Sequence, residues 1–215
     1  MARLGIFGGT FDPPHLGHLI LAAEARDQLA LDRVLWVLTP DPPHKTGRTL
    51  TPLAVRLELA AAAIGNDPGF EISRVEIDRP GPHYSVDTVR ILAAQYPGAE
   101  LFYLMGGDSL HDLPTWKRPT ELVAALTGLG VMRRPQDFVD LPALERALPG
   151  LVAKVHFIEV PLIEISSTAI RERVAQGRHF YYFLPPRVAC IVNEKKLYRS
   201  SAPHEQRNPA NAGHQ

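Results

Sequence analysis

With 215 residues the chain can bury one sizeable core, a length that single α/β domains often reach. Its 23 Lys+Arg and 23 Asp+Glu cancel, which removes the field expected of a protein that binds nucleic acid polymers or anionic membranes. The one cysteine, Cys190, excludes a disulfide framework and a thiolate metal site, and its neighbours in Arg187–Val192 predict a packed, structural residue.

The first apolar run, Leu4–Phe7, is too short for a secretory segment, and no stretch reaches the roughly 18 apolar residues of a membrane span. A cytoplasmic protein is therefore expected. Short apolar runs at Leu4–Phe7, Val34–Leu38, Glu71–Ile77, Leu101–Met105, Gly128–Met132 and Lys154–Glu159 read as strands. Helical segments lie between them. The first runs from Leu16 to Leu29 with a stripe of Leu16, Leu19, Ile20 and Ala23. The second opens with Thr51 as N-cap and Pro52 at N1, and continues through Leu53, Leu57, Ala60 and Ile64 to Gly65. Ser85 can cap a third, with Val86, Val89, Leu92 and Tyr96 on one face before Pro97-Gly98 ends it. Later helices fit Pro119–Leu126, Leu141–Leu148, Ser167–Gln176 and Pro185–Lys195. Strand and helix in alternation predict one Rossmann-like, doubly wound domain over residues 1–198, with a mostly parallel sheet flanked by helices. The polar tail Arg199–Gln215 has no apolar period and is expected to be disordered.

Chemistry concentrates first in Gly8-Gly9-Thr10-Phe11-Asp12-Pro13-Pro14-His15-Leu16-Gly17-His18. A strand running into Gly8-Gly9-Thr10 brings backbone N–H groups to the carboxyl edge of the sheet. The helix that follows offers a positive dipole end to an anion. His15 and His18, three apart, point to one side and can donate to one phosphate. In isolation Gly-Gly-Thr is an ordinary strand-end turn, and His-x-x-His reads equally as a metal pair or as surface residues. The remaining histidines offer no assignable third ligand. The loop is neither G-x-x-x-x-G-K-[ST] nor G-x-G-x-x-G.

Taken whole, the eleven-residue segment resembles the T/HxGH motif of the nucleotidylyltransferase superfamily. That resemblance implies that His15 and His18 contact a triphosphate and stabilise charge in the transition state, that Gly17 admits close backbone approach, and that Gly8, Gly9, Thr10 and Phe11 line the ATP site. A second motif of the superfamily is matched by Ile165-Ser166-Ser167-Thr168-Ala169-Ile170-Arg171. It is a hydroxyl-rich helix start in which Ser167, Thr168 and Arg171 share a side, with Arg171 able to fork onto phosphate oxygens. Such chemistry needs no covalent intermediate, because an acceptor phosphate is already ionised and attacks the α-phosphorus in line with departing pyrophosphate. Mg2+ carried with the ATP phosphates is the expected cofactor, and no protein cage for a metal is expected.

Three further segments narrow the acceptor. Thr39–Lys45 presents Lys45 on a proline-stiffened loop, Tyr84-Ser85 opens a helix, and Gly106-Gly107-Asp108 precedes Trp116 among loop residues. Together they resemble the bacterial nicotinate-nucleotide adenylyltransferase family from Leu4 to about Tyr198, with Ser85 and Val86 where many relatives have Thr and Ile. The resemblance implies an enzyme that joins ATP and nicotinate mononucleotide to give deamido-NAD and pyrophosphate in NAD biosynthesis. It places the nicotinate ring on Trp116 and its carboxylate near Tyr84 and Ser85, with Lys45 and Asp108 beside the acceptor and Gly106 and Asp108 beside ATP. Nicotinamide mononucleotide or phosphopantetheine as acceptor, or a non-catalytic nucleotide sensor, are the competing readings. The expected partners are these small molecules, with no nucleic acid polymer and no membrane, and homo-oligomerisation is left open.

Overall fold

Alternation along the first strand divides the core into two layers. In β1 (Arg3–Gly9), Leu4 and Ile6 face one layer and Phe7 the other. The computed structural model describes residues 1–41, 50–132, 139–161 and 164–199. The strands β1, β2 (Arg33–Leu38), β3 (Phe70–Ser73), β4 (Glu100–Gly106), β5 (Gly128–Met132) and β6 (Val155–Ile158) form one sheet in the order β3-β2-β1-β4-β5-β6. Every neighbouring pair is parallel. The strands read as near-continuous apolar runs because helices cover both faces.

Those helices are α1 (Leu16–Gln28), α2 (Leu53–Ile64), α3 (Ser85–Gln95), α4 (Gly107–Asp112), α5 (Pro119–Ala125), α6 (Leu141–Ala147), α7 (Ser167–Ala175) and α8 (Pro186–Glu194). Val86, Val89 and Leu92 of α3, Leu122 of α5 and Leu144 of α6 bury one face with Leu4, Ile6, Leu35 and Val37. Leu21, Ala22 and Ala25 of α1 bury the other with Phe7, Val34, Trp36 and Leu38. A third apolar cluster joins α2, α7 and α8 through Leu59, Ile170, Val174, Val188 and Val192. Among the described residues no helix is long and apolar enough to cross a membrane.

The single doubly wound sheet matches expectation, and several local details do not. Strand β3 ends at Ser73 rather than Ile77, because Ile77 and Asp78 donate to the Arg74 carbonyl and turn the chain away from the sheet edge. Pro52, not Thr51, is the N-cap of α2. Ser85 is the first residue of α3, whose N-cap is Tyr84, and its hydroxyl bonds Tyr103 instead of capping. The apolar stripe of α1 is rotated from the expected one: Leu21, Ala22 and Ala25 are buried, while Ala23 is exposed. Cys190 is exposed on α8, because the side of that helix facing the core carries Val188, Ala189 and Val192. Helix α4 was not expected at all. The expected tail lies outside the described residues beyond Arg199.

In α2 the buried face includes a charge. Arg56, Leu59, Ala60 and Ala63 lie inward, and Arg56 is only 2% exposed. Its Nε donates to the Thr51 carbonyl at 2.9 Å, Nη1 to those of Thr10 (3.1 Å) and Thr39 (2.8 Å), and Nη2 to that of Pro40 (2.8 Å). One guanidinium thus satisfies four carbonyls, three where the chain leaves β1 and β2 and one just ahead of α2. Burial lowers the Arg56 pKa, and the nearby Asp12 carboxylate opposes that shift. Arg56→Leu leaves these carbonyls unpaired in a dry setting, and is expected to destabilise the fold by roughly 3 kcal/mol, seen as a lower denaturation midpoint at unchanged slope.

Candidate active site

The order of the sheet reverses direction between β1 and β4: from β1 the chain winds outward to β2 and β3, then crosses back to β4 on the other side. Adjacent loops diverge there and leave a crevice at the carboxyl ends of the strands. A cleft of about 440 Å³ occupies this place. Gly8, Gly9, Thr10, Phe11, His15, Gly17, His18, Gly106, Asp108, Trp116, Ile165, Ser166, Ser167, Thr168 and Arg171 all line it. Segments some 150 residues apart in the chain therefore share one cavity, as the loop–loop contacts confirm: Ser167 Oγ donates to the Pro13 carbonyl at 2.8 Å across 154 positions.

The histidine pair is built by the start of α1. His15 is the N-cap in an extended conformation, and its backbone N–H donates to His18 Nδ1 at 3.1 Å. That bond places the ring proton of a neutral His18 on Nε2. The two rings stack at 3.7 Å between centroids with an interplanar angle of 26°. Behind them, Phe7, Phe11 and Trp36 form an aromatic cradle, with centroids 5.8, 5.2 and 6.4 Å from the His18 ring. Phe11 has a φ of +47°, a left-handed conformation that costs a non-glycine residue energy, and its side chain is almost wholly buried against Phe7 and Trp36. Gly17 faces the His15 ring so closely that a Cβ would come within 3.1 Å of Nδ1.

Across the cleft, Ser166 caps α7 by accepting from the Ala169 N–H at 3.2 Å. Arg171 donates from Nη2 to Thr168 Oγ1 at 2.8 Å and from Nη1 to the Asp12 carbonyl. The N-termini of α1 and α7 thus open on the same cavity, each contributing the positive end of a helix dipole, and Arg171 lines it as well. This arrangement favours a polyanion. Among the described residues no group of three or more His, Cys, Asp or Glu could hold a metal ion.

The residues expected around a second substrate are partly assembled. Asp108 and Trp116 line the cleft, and Lys45 lies outside the described residues. Tyr84 and Ser85 are not among the residues that line the cleft, and only Ser85 connects to its wall. The link is Tyr103, which lines the cleft, meets the Trp116 ring edge-on at 5.9 Å and shares a hydrogen bond with Ser85 Oγ at 3.1 Å. Burial pushes the Tyr103 phenol up to about 12, with the Ser85 hydrogen bond opposing, so the hydroxyl remains a donor at neutral pH. Nothing in the sequence singled out Tyr103, since it reads as an ordinary apolar position of β4. Asp12 was legible as part of the loop but without a role, and the alternation of Arg56 with Leu59, Ala60 and Ala63 was the one signal of a buried arginine.

The cytidylyltransferase-like family profile matches residues 6–173. The chain is 48% identical over 200 residues to a probable nicotinate-nucleotide adenylyltransferase of Thermomicrobium roseum, covering 93% of each protein. It is 42% identical over 197 residues to a probable nicotinate-nucleotide adenylyltransferase of Thermus thermophilus, covering 92% of this chain and 100% of the relative. Among solved structures it is similar to a Plasmodium falciparum nicotinic acid mononucleotide adenylyltransferase complexed with NaAD, with a TM-score of 0.77 and 17% identity over 92% of this chain and 98% of that one. At that identity the likeness concerns the fold.

The close approach of Gly8 to Tyr103 gives a direct test of the cleft wall. A Cβ on Gly8 would come within 2.9 Å of the Tyr103 hydroxyl but 3.7 Å from the ring carbon that bears it. Gly8→Ala is therefore expected to lower the melting temperature by an overpacking cost of about 1–3 kcal/mol, and adding Tyr103→Phe should restore most of the loss in a thermal melt.

Proposed function

The chain belongs to the nicotinate-nucleotide adenylyltransferase family, and from that premise we propose that it transfers AMP from ATP to nicotinate mononucleotide, releasing pyrophosphate and forming deamido-NAD in NAD biosynthesis. The observation that carries this reading is the meeting of Gly8–His18 and Ile165–Arg171 across one cleft, two cationic or N–H-rich walls around a space open to both substrates. The acceptor's 5′-phosphate oxygen attacks the α-phosphorus, the bond from that phosphorus to the bridging oxygen breaks, and the electron pair leaves with pyrophosphate. No protein atom bonds covalently to the substrate. The protein supplies alignment and positive charge.

In this proposal the backbone at Gly8, Gly9 and Thr10 and the N-termini of α1 and α7 bind the triphosphate, and Ser166, Ser167 and Thr168 add hydroxyl donors. His15, His18 and Arg171 are the catalytic residues: His18 donates from Nε2, and Arg171 reaches the phosphates from the opposite wall. Phe11, Gly106 and Ile165 bound the nucleoside, and Asp108 accepts from ribose hydroxyls. Trp116 offers a flat face for the pyridine ring, Ser85 supports that wall through Tyr103, and Tyr84 and Lys45 are assigned to the acceptor by family resemblance. Magnesium enters as part of the Mg–ATP substrate, and the reaction is assigned to the cytoplasm.

Supplying Mg–ATP with nicotinate mononucleotide, nicotinamide mononucleotide or phosphopantetheine in parallel is expected to release pyrophosphate fastest with the first; a better rate with either of the others removes the acceptor assignment. His18→Ala should lower kcat by about 10²–10³ while the KM for ATP changes little, since the lost donor acts mainly on charge that develops in the transition state. An unchanged kcat takes His18 out of the reacting centre.

A further inference from the structure

The loop that carries the histidine pair is held from the far end of the chain. Asp12 borders the cleft, yet it is only 2% exposed. Its Oδ1 accepts from the Tyr198 hydroxyl at 2.7 Å, 186 positions away, and its Oδ2 from the Thr51 N–H at 3.2 Å. The Arg56 guanidinium attracts the same carboxylate while gripping the neighbouring Thr10 carbonyl. On the opposite side, Arg171 takes the Asp12 carbonyl and Ser167 the Pro13 carbonyl. A buried carboxylate is costly unless hydrogen-bonded, so each of these donors constrains where the loop lies.

Tyr198 is brought there deliberately by the backbone. After α8, Lys196 and Tyr198 adopt φ of +52° and +61°, the left-handed region that L-residues seldom occupy, and the Leu197 N–H closes on the Val192 carbonyl at 3.0 Å. Packing of Leu197 and Tyr198 against the α2–α7–α8 cluster holds this turn. Burial and the Asp12 carboxylate both raise the Tyr198 pKa, so its hydroxyl keeps the proton it donates.

We infer that Tyr198 is a positioning residue of the reaction: through the Asp12 carboxylate its hydroxyl sets the Thr10–His18 segment, and with it the histidine pair, against the reacting phosphate. The inference rests on the proposed adenylyl transfer. A role confined to anchoring α8 would loosen that helix and leave the turnover of folded enzyme alone. A positioning role instead loosens the loop and lowers kcat more than it raises KM, because misalignment acts on the transition state.

Tyr198→Phe removes the hydrogen bond to the Asp12 carboxylate, together with the hydroxyl's contact to the Thr51 side chain, and fills the same space. The expected result is a kcat for pyrophosphate release about 10-fold lower, with KM for both substrates within about 3-fold. Amide hydrogen exchange should accelerate in residues 10–18 and stay unchanged in β4 and β5. Asp12→Asn weakens the same contact from its other end, and adding it to Tyr198→Phe should cost little more than either change alone. Unchanged kcat, exchange that rises only in α8 or evenly over the chain, or full additivity of the two substitutions overturns the inference. Wild-type protein that releases no pyrophosphate with any acceptor sinks the adenylyl-transfer reading instead, and the exchange comparison then decides the positioning of the loop by itself.

Discussion

The reversal of strand order between β1 and β4 is the constraint around which the rest of the molecule is arranged. A right-handed crossover that leaves β1 toward β2 and another that arrives at β4 on the opposite side cannot fill the space between their loops. The gap opens where backbone N–H groups of β1, the start of α1 and the start of α7 all converge. An anion is the natural occupant of such a place, since the helix termini carry partial positive charge.

A gap is only useful if its edges hold still, and here a set of long-range polar contacts does this. Arg56 ties the ends of β1 and β2 through carbonyls of Thr10, Thr39 and Pro40, while Asp12 gathers Thr51 and Tyr198. Arg171 and Ser167 close the loop from the α7 side. Apolar packing does the complementary work: Phe7, Phe11 and Trp36 pack around the His18 ring, and Phe11 holds a left-handed backbone with its ring buried among them. Rigid walls suit in-line phosphoryl chemistry, in which alignment supplies most of what the protein adds.

Much of this was legible in the residue order, and the parts that were not share a cause. The strand–loop–helix at Leu4–His18 and the capped helix at Ser166–Arg171 are local patterns, so their residue types and spacing announce them. Arg56 and Tyr198 act on residues tens to nearly two hundred positions away, and Tyr103 owes its place to a neighbour on α3. The stripe of α1 differs for a related reason: Ile20 borders the cleft, and only the sheet decides that Leu21, Ala22 and Ala25 are the residues buried beneath. Cys190 follows the same rule, since apolar neighbours in sequence do not tell which side of α8 meets the core.

The amino-acid sequence by itself determined the alternating parallel fold, the two motifs at Gly8–His18 and Ile165–Arg171, and the family to which the chain belongs. These depend on periodicity and on contiguous motifs, which are local properties of the chain. Tertiary structure alone decided that the two motifs share one cleft at the switch point, that Ser85 bonds Tyr103 in its wall, and that Tyr198 reaches Asp12 of the first loop. Those relations depend on which distant surfaces are buried together, and burial is a property of the whole fold.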